Sequence, residues 1–349
     1  MKIANWYGGK DFRIEDVPKP KIKDDEALIA VKAASICGSE VHAYTGISKR
    51  REEIHGLPLV MGHEFSGEVV DVGKHVEKVT AGDRVSVNPI TTCGKCEQCI
   101  TGRTNICKNF RVLGLHVDGA FAEYVPIVGK NCYKIPNSMS FEEASLIEPC
   151  SVGVHAVNIT PLELGDDVAV LGDGPIGLMA LQAAKCAGAG RIFVSGHHNY
   201  RLDMAKKLGA DEVINVKEED PVKKIMELTD GEGVDAVLEA VGSRKNVQQG
   251  LELIKKGKTV TVIGLMEKTM ELDMLNVSVK EATIQGDYGY TKREFKASLK
   301  LAAANKLNLK QVITHVLSLE DIAKGFQLLA QRKENAIKVI VKPQFIGGK

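Results

Sequence analysis

From residue 167 onward, short apolar runs alternate with amphipathic stretches, and this rhythm restricts the fold more than any other feature. DVAVLG (167–172), RIFVSG (191–196), EVINV (212–216), VDAVLEAVG (234–242) and TVTVIG (259–264) read as strands buried on both faces. Between them, IGLMALQAAKCAGA, RLDMAKKLGA and VKKIMELT carry the spacing of helices. Strands and helices in this order predict right-handed βαβ units, an α/β fold with a doubly wound parallel sheet of Rossmann type. The rhythm stops near Tyr288.

The first 150 residues follow another pattern. ALIAVKAASIC, FSGEVVDVG, DRVSV and AFAEYVPI are short strand-like runs separated by Gly and Pro, which predicts a β-rich, partly open, barrel-like domain. Beyond Tyr288 come two helical stretches, about 292–305 and 319–332, and the strand AIKVIVKP. Lacking the βαβ rhythm, this tail is expected to return to the first domain. The organisation is therefore 1–150 for a β-rich domain, 151–288 for the doubly wound domain, and 289–349 for the return. No internal repeat or low-complexity segment occurs, only a polar Gly347-Gly348-Lys349 end.

Lys and Arg number 46 against 45 Asp and Glu, so no global field attracts a polyanion and nucleic acid is not expected as a partner. No apolar run suits a membrane span, and MKIANWYGGKDFRIEDVP lacks the apolar segment of a signal peptide. A cytoplasmic protein is expected, in which eight cysteines are poor candidates for disulfides. Cys93, Cys96, Cys99 and Cys107 fall within one short loop, and four thiolates close a tetrahedron around Zn²⁺. A closed shell has no vacant position, so this zinc is structural. An iron–sulfur cluster has similar spacing, but its Cys-Pro ending is absent. Cys132, Cys150 and Cys186 are read as packing residues.

Gly172-Asp173-Gly174-Pro175-Ile176-Gly177 joins a buried strand to a helix. Gly172 allows the tight turn, Gly174 lets a pyrophosphate approach the backbone, and Gly177 lets helix and strand pack. The helix N-terminus, through Pro175 and Ile176, offers free N–H groups to the anion. Val241 and Ile263, just past two later strands, are further candidate cofactor contacts. An acid at the end of the second strand would hold the ribose 2′-hydroxyl, but Gly196 stands there, followed by His197, His198 and Arg201. These basic groups point to a 2′-phosphate and NADP(H); NAD(H), bound with one hydrogen bond fewer, is the alternative.

Cys37-Gly38-Ser39-Glu40-Val41-His42, Gly62-His63-Glu64 and Glu148-Pro149 each have an ordinary reading when taken singly. Together with the glycine turn and the four-cysteine loop, their order resembles the zinc-containing medium-chain alcohol dehydrogenases, over essentially the whole chain. Within that superfamily the sorbitol, polyol and threonine dehydrogenase branch is the most similar. The resemblance implies a GroES-like catalytic domain split by the nucleotide domain, with the active site in the cleft between them. It also implies a catalytic zinc held by Cys37, His63 and Glu64 or Glu148, the last in a place where other alcohol dehydrogenases carry Cys. Ser39 would pass the alcohol proton and His42 would relay it to solvent through the nicotinamide ribose.

The reaction implied is reversible hydride transfer between a secondary alcohol and NAD(P), in a homodimer or homotetramer. TVTVIG and the apolar residues after it are expected to supply an edge for sheet extension between subunits. Polyols are the branch default, but Gly289 stands where sorbitol-type enzymes have Arg, and Ser151–His155 departs from the threonine-type pattern. Lys49-Arg50-Arg51 suggests a sugar acid or polyol phosphate, against the plain reading of a solvated charge run offset by Glu52-Glu53. A threonine 3-dehydrogenase is the second reading. A zinc-free quinone or enone reductase, or a non-catalytic relative, would lack the metal motifs or the glycine turn that this chain retains.

Overall fold

The computed structural model describes residues 1–264 and 269–344. The Gly347–Lys349 end and the apolar residues straight after TVTVIG lie outside the described residues. The chain forms two compact units. One comprises residues 1–148, 291–305 and 309–349, and the other residues 149–290 and 306–308.

The second unit is built on a six-stranded parallel sheet. Its order is Glu212–Asn215, Ile192–Gly196, Val168–Leu171, Val234–Glu239, Ile254–Val262 and Thr283–Gly286. Numbered along the chain this is 3-2-1-4-5-6, the doubly wound arrangement. Val168–Leu171 is buried at every residue because helices cover both faces. Punctuation in the sequence ends those helices. Gly188 and Gly209 adopt left-handed conformations (φ 95° and 108°) after Pro175–Ala187 and Asn199–Leu208. The winding reverses between Val168–Leu171 and Val234–Glu239, and ligands of such sheets bind beyond the carboxyl ends at that switch point.

One expectation needs correcting here. TVTVIG is not an edge, because Ile254–Val262 pairs with Val234–Glu239 on one side and Thr283–Gly286 on the other. The edge on that side is Thr283–Gly286, whose mixed composition gives no apolar run for a sequence reading to detect.

The first unit centres on the long strand Glu26–Ser35, which pairs with Glu64–Val72, Tyr124–Val128 and Lys338–Lys342. The C-terminal strand thus enters the sheet of the N-terminal segment. The helix Ile322–Gln331 drives Phe326 into a cluster with Phe12, Tyr44 and Phe121, at centroid distances of 4.7, 5.2 and 6.0 Å. Tyr44 ends the short helix Gly38–Tyr44, so this aromatic cluster supports the segment that follows Cys37. Among the described residues no helix is long and apolar enough to cross a membrane.

Phe326 is fully buried. Phe326→Ala is expected to cost this unit about 3–5 kcal/mol, from lost transfer energy and the cavity left behind. Urea unfolding followed by far-UV circular dichroism checks this as a lowered midpoint.

Candidate active site and metal centres

Sheet register assembles the first cluster. Ser35 pairs with Glu64 across the two antiparallel strands. Cys37, two residues past Ser35, and His63, one residue before Glu64, therefore meet at the same end of the ladder. Gly62 can precede His63 only as glycine. Its φ is +104°, and a Cβ would lie 2.8 Å from the Phe121 nitrogen. The ligand atoms of Cys37, His63 and Glu64 all fall within 4.8 Å of one another. Glu148, in the first turn of Ile147–Ile159 and buried, stands outside that cluster.

Several side chains given no supporting role in the sequence reading hold the cluster. Glu40 is fully buried. Its Oε1 takes the His63 Nδ1 at 3.0 Å and the Gly62 N–H at 2.8 Å, while Oε2 accepts the Cys37 N–H at 3.0 Å. Tying Nδ1 to a carboxylate leaves Nε2 for a metal, the usual support of an imidazole ligand. Burial works against a charged His63, but Glu40 and then Cys37 raise its pKa well above the ordinary value. Burial likewise opposes ionisation of Glu40, and His63 and Arg51 hold its pKa down.

Arg51 corrects the charge-run reading. It is 5% exposed and donates to the Gly114 carbonyl (3.0 Å), the Ser39 carbonyl (2.9 Å) and Ser39 Oγ (3.3 Å). Its guanidinium is an internal brace, unavailable to a substrate anion. Ser39 Oγ in turn donates to Cys37 Sγ at 3.3 Å. His42 lies on the same helix as Ser39, and burial, followed by Arg51, lowers its pKa, which favours the neutral imidazole.

Behind Glu64 stands Lys338, 2% exposed, which pairs with Glu64 Oε2. Lys338 also donates to Ser35 Oγ at 3.0 Å and the Ile36 carbonyl at 3.2 Å, and Ser35 Oγ donates to Glu64. A Lys flanked by apolar residues in Ile337-Lys338-Val339 was the available signal, since buried lysine requires a partner. For Glu40 the signal was its place three residues after Cys37, where a helix-capping acid stands.

The four-cysteine loop forms the second cluster, its four sulfurs within 4.8 Å. Cys107 Sγ lies 3.5 Å from Cys93 Sγ and 3.8 Å from Cys96 Sγ. A tetrahedron with zinc–sulfur bonds of about 2.3 Å has edges of about 3.8 Å, so the spacing fits zinc closely. Backbone N–H groups of Cys99 and Lys108 point at Cys96 and bring its pKa down to about 6, while burial pushes Cys99 up to about 11. Of the three remaining cysteines, Cys132 and Cys150 are buried, but Cys186 is exposed and so is not a packing residue.

In the second unit, the glycine turn lies at the switch point. Gly172 has a φ of +127°, and a Cβ on Gly177 would sit 2.0 Å from the Gly172 oxygen. A Cβ on Gly174 would meet no protein atom within 4 Å. No neighbour within the unit demands glycine there, so the open backbone suits close approach of a ligand phosphate. Pro175 and Ile176 open the helix beyond it. Val241 packs against Gly172, and the buried carboxylate of Glu239 accepts the Val241 N–H at 2.9 Å. Ile263 follows the next strand and is buried. His198 and Arg201, however, are turned toward Asp173, at 3.3 and 3.9 Å.

Comparison with known proteins identifies the family. A family model for the alcohol dehydrogenase GroES-like domain matches residues 23–137, and one for zinc-binding dehydrogenase matches residues 175–304. The chain is 37% identical over 345 residues to sorbitol dehydrogenase of Bacillus subtilis, covering 98% of this chain and 97% of that one. It is 42% identical over 337 residues to L-threonine 3-dehydrogenase of Bacillus licheniformis, covering 96% of each. A zinc-binding dehydrogenase of Sinorhizobium meliloti 1021, solved with NADP bound, superposes with a TM-score of 0.91 at 29% identity, covering 98% and 99%.

Removing the Glu40 carboxylate frees the His63 ring. Glu40→Ala is expected to weaken zinc retention at the Cys37 cluster by about 10- to 100-fold and to leave the four-cysteine site loaded. Competition with a graded series of chelators, read by metal analysis, separates the two.

Proposed function

Since the chain belongs to the zinc-containing medium-chain alcohol dehydrogenases, we propose that it interconverts a secondary alcohol of a polyol, sugar acid or sugar-alcohol phosphate with its ketone, using NAD(P)(H). The observation that carries this reading is the convergence of Cys37, His63 and Glu64, with a serine hydroxyl 3.3 Å from the thiol. Soft and borderline donors of this kind suit zinc. Cys37 and His63, with Glu64 or Glu148, would hold one ion, and Cys93, Cys96, Cys99 and Cys107 a second, structural one. When bound, the catalytic zinc supplies Lewis acidity toward a substrate hydroxyl, and the nicotinamide supplies the hydride acceptor.

The remaining work falls to side chains of the chain itself. Ser39 Oγ, oriented by Arg51, takes the substrate hydroxyl proton, and His42, held neutral, accepts it onward. Glu40 fixes the His63 ring, and Lys338 balances the charge of Glu64. The dinucleotide would lie along the Gly172–Gly177 turn, where the relative solved with NADP bound shows that the family takes such a cofactor, and the basic residues His197, His198 and Arg201 would favour the phosphorylated form. A second copy of the chain pairs along the edge strand Thr283–Gly286, beside which Met274, Leu275 and Val279 are exposed.

With Arg51 internal, Lys49 and Arg50 are the exposed cations of that run. Burial and then Arg50 and Arg111 lower the His116 pKa, so these three basic groups share one neighbourhood. Such a neighbourhood suits an acid or phosphate substituent. It equally suits an amino-acid carboxylate, and with the 42% identical relative it favours L-threonine as the second reading. A panel of polyols, sugar acids, polyol phosphates and L-threonine, assayed with both dinucleotides, decides. Turnover confined to L-threonine selects the second reading, and no turnover of any panel member overturns both.

Ser39→Ala is expected to lower kcat by about 10²-fold or more with both zincs retained, as measured by steady-state kinetics beside metal analysis. Arg50→Ala is expected to raise KM about tenfold for an anionic substrate while leaving a neutral polyol nearly unchanged. Equal losses on both would remove the anion subsite.

A further inference from the structure

We propose that Asp173, inside the glycine turn, is the residue that sets selectivity at the ribose 2′ position, supplying from that turn the acid missing at the end of the strand Ile192–Gly196. This rests on the dinucleotide reading of the Gly172–Gly177 turn.

A Cβ built on Gly196 would lie 2.3 Å from Asp173 Cβ, 2.4 Å from its Cγ and 2.5 Å from Oδ2. The Asp173 side chain therefore occupies the space into which a side chain at position 196 would grow. An acid at 196 and Asp173 in its present place exclude each other, which gives a physical reason for glycine at 196. The Asp173 carboxylate is firmly seated. It is 7% exposed, and Oδ2 accepts the N–H groups of His197 and His198 at 2.8 and 2.9 Å. His198 Nδ1 lies 3.3 Å from the same oxygen, and Arg201 Nη1 lies 3.9 Å from Oδ1.

Two consequences follow from charge. The carboxylate draws His198 and Arg201 toward itself and offsets the cations that would otherwise receive a 2′-phosphate. It also places a negative charge at the loop where that phosphate would arrive, and like charges a few ångströms apart repel strongly in a partly buried site. Asp173 therefore opposes NADP(H) and favours NAD(H), against the pull of the basic loop.

Asp173→Asn keeps an oxygen able to accept both backbone N–H groups and removes only the charge. Isothermal titration with NAD⁺ and NADP⁺, without substrate, should show the ratio Kd(NAD⁺)/Kd(NADP⁺) rising about tenfold or more relative to wild type. Asp173→Gly/Gly196→Asp moves the acid to the strand end and should return the ratio toward the wild-type value. A ratio unchanged or lowered in Asp173→Asn, with both dinucleotides still bound, overturns the assignment to Asp173 and leaves the dehydrogenase reading intact. Failure of the wild-type protein to bind either dinucleotide overturns both.

Discussion

Two carboxylates, Glu40 and Glu64, are sealed from solvent within the same small region, and the first unit is arranged around satisfying them. A buried ionised acid costs several kcal/mol unless a cation and hydrogen-bond donors meet it. Glu40 finds His63, Arg51 and two backbone N–H groups. Glu64 finds Lys338 and Ser35. Lys338 is 274 residues from Glu64, so this pairing exists only because the C-terminal strand lies antiparallel beside Glu26–Ser35. The interrupted course of the chain and the electrostatics of the metal cluster are thus one constraint. A first segment ending near residue 148 would hold Glu64 without its counter-charge.

Much of the fold was legible because both signals that carry it are local. Apolar runs between amphipathic helices specified the parallel sheet, and the glycine turn lay where a strand met a helix. The edge strand Thr283–Gly286 escaped notice because an exposed strand of mixed composition lacks an apolar run. The site residues divided along similar lines. Cys93, Cys96, Cys99 and Cys107 announce themselves by residue type and spacing, whereas Cys37, His63 and Glu64 read as ordinary residues singly and stand out only through the family resemblance that their order carries. Glu40, Lys338 and the internal role of Arg51 do not, since charged residues are ordinarily solvated and only the third dimension shows which are buried. Reading Lys49-Arg50-Arg51 as one patch failed because a helix turns successive side chains about 100° apart. Arg51 faces inward on Glu40 and Ser39, and Arg50 is exposed.

The two candidate metal clusters show how differently cysteine ligands can be supported. In the four-cysteine loop the sulfurs are steadied by N–H groups of the loop itself, such as those of Asn109 and Cys93 on Cys107. Everything needed lies within a single short segment, which is why its pattern could be read without the rest of the molecule. The Cys37 cluster depends on the Ser35–Glu64 register, on Gly62 fitting beneath Phe121, and on a lysine from the far end of the chain. A closed site that only staples a loop can be self-contained. One that must keep a position available for chemistry needs its ligands held from outside, because a vacant position cannot itself help fix the remaining ligands. Long-range support of Cys37, His63 and Glu64 therefore fits the catalytic role proposed for them, and local support of the cysteine loop fits the structural one.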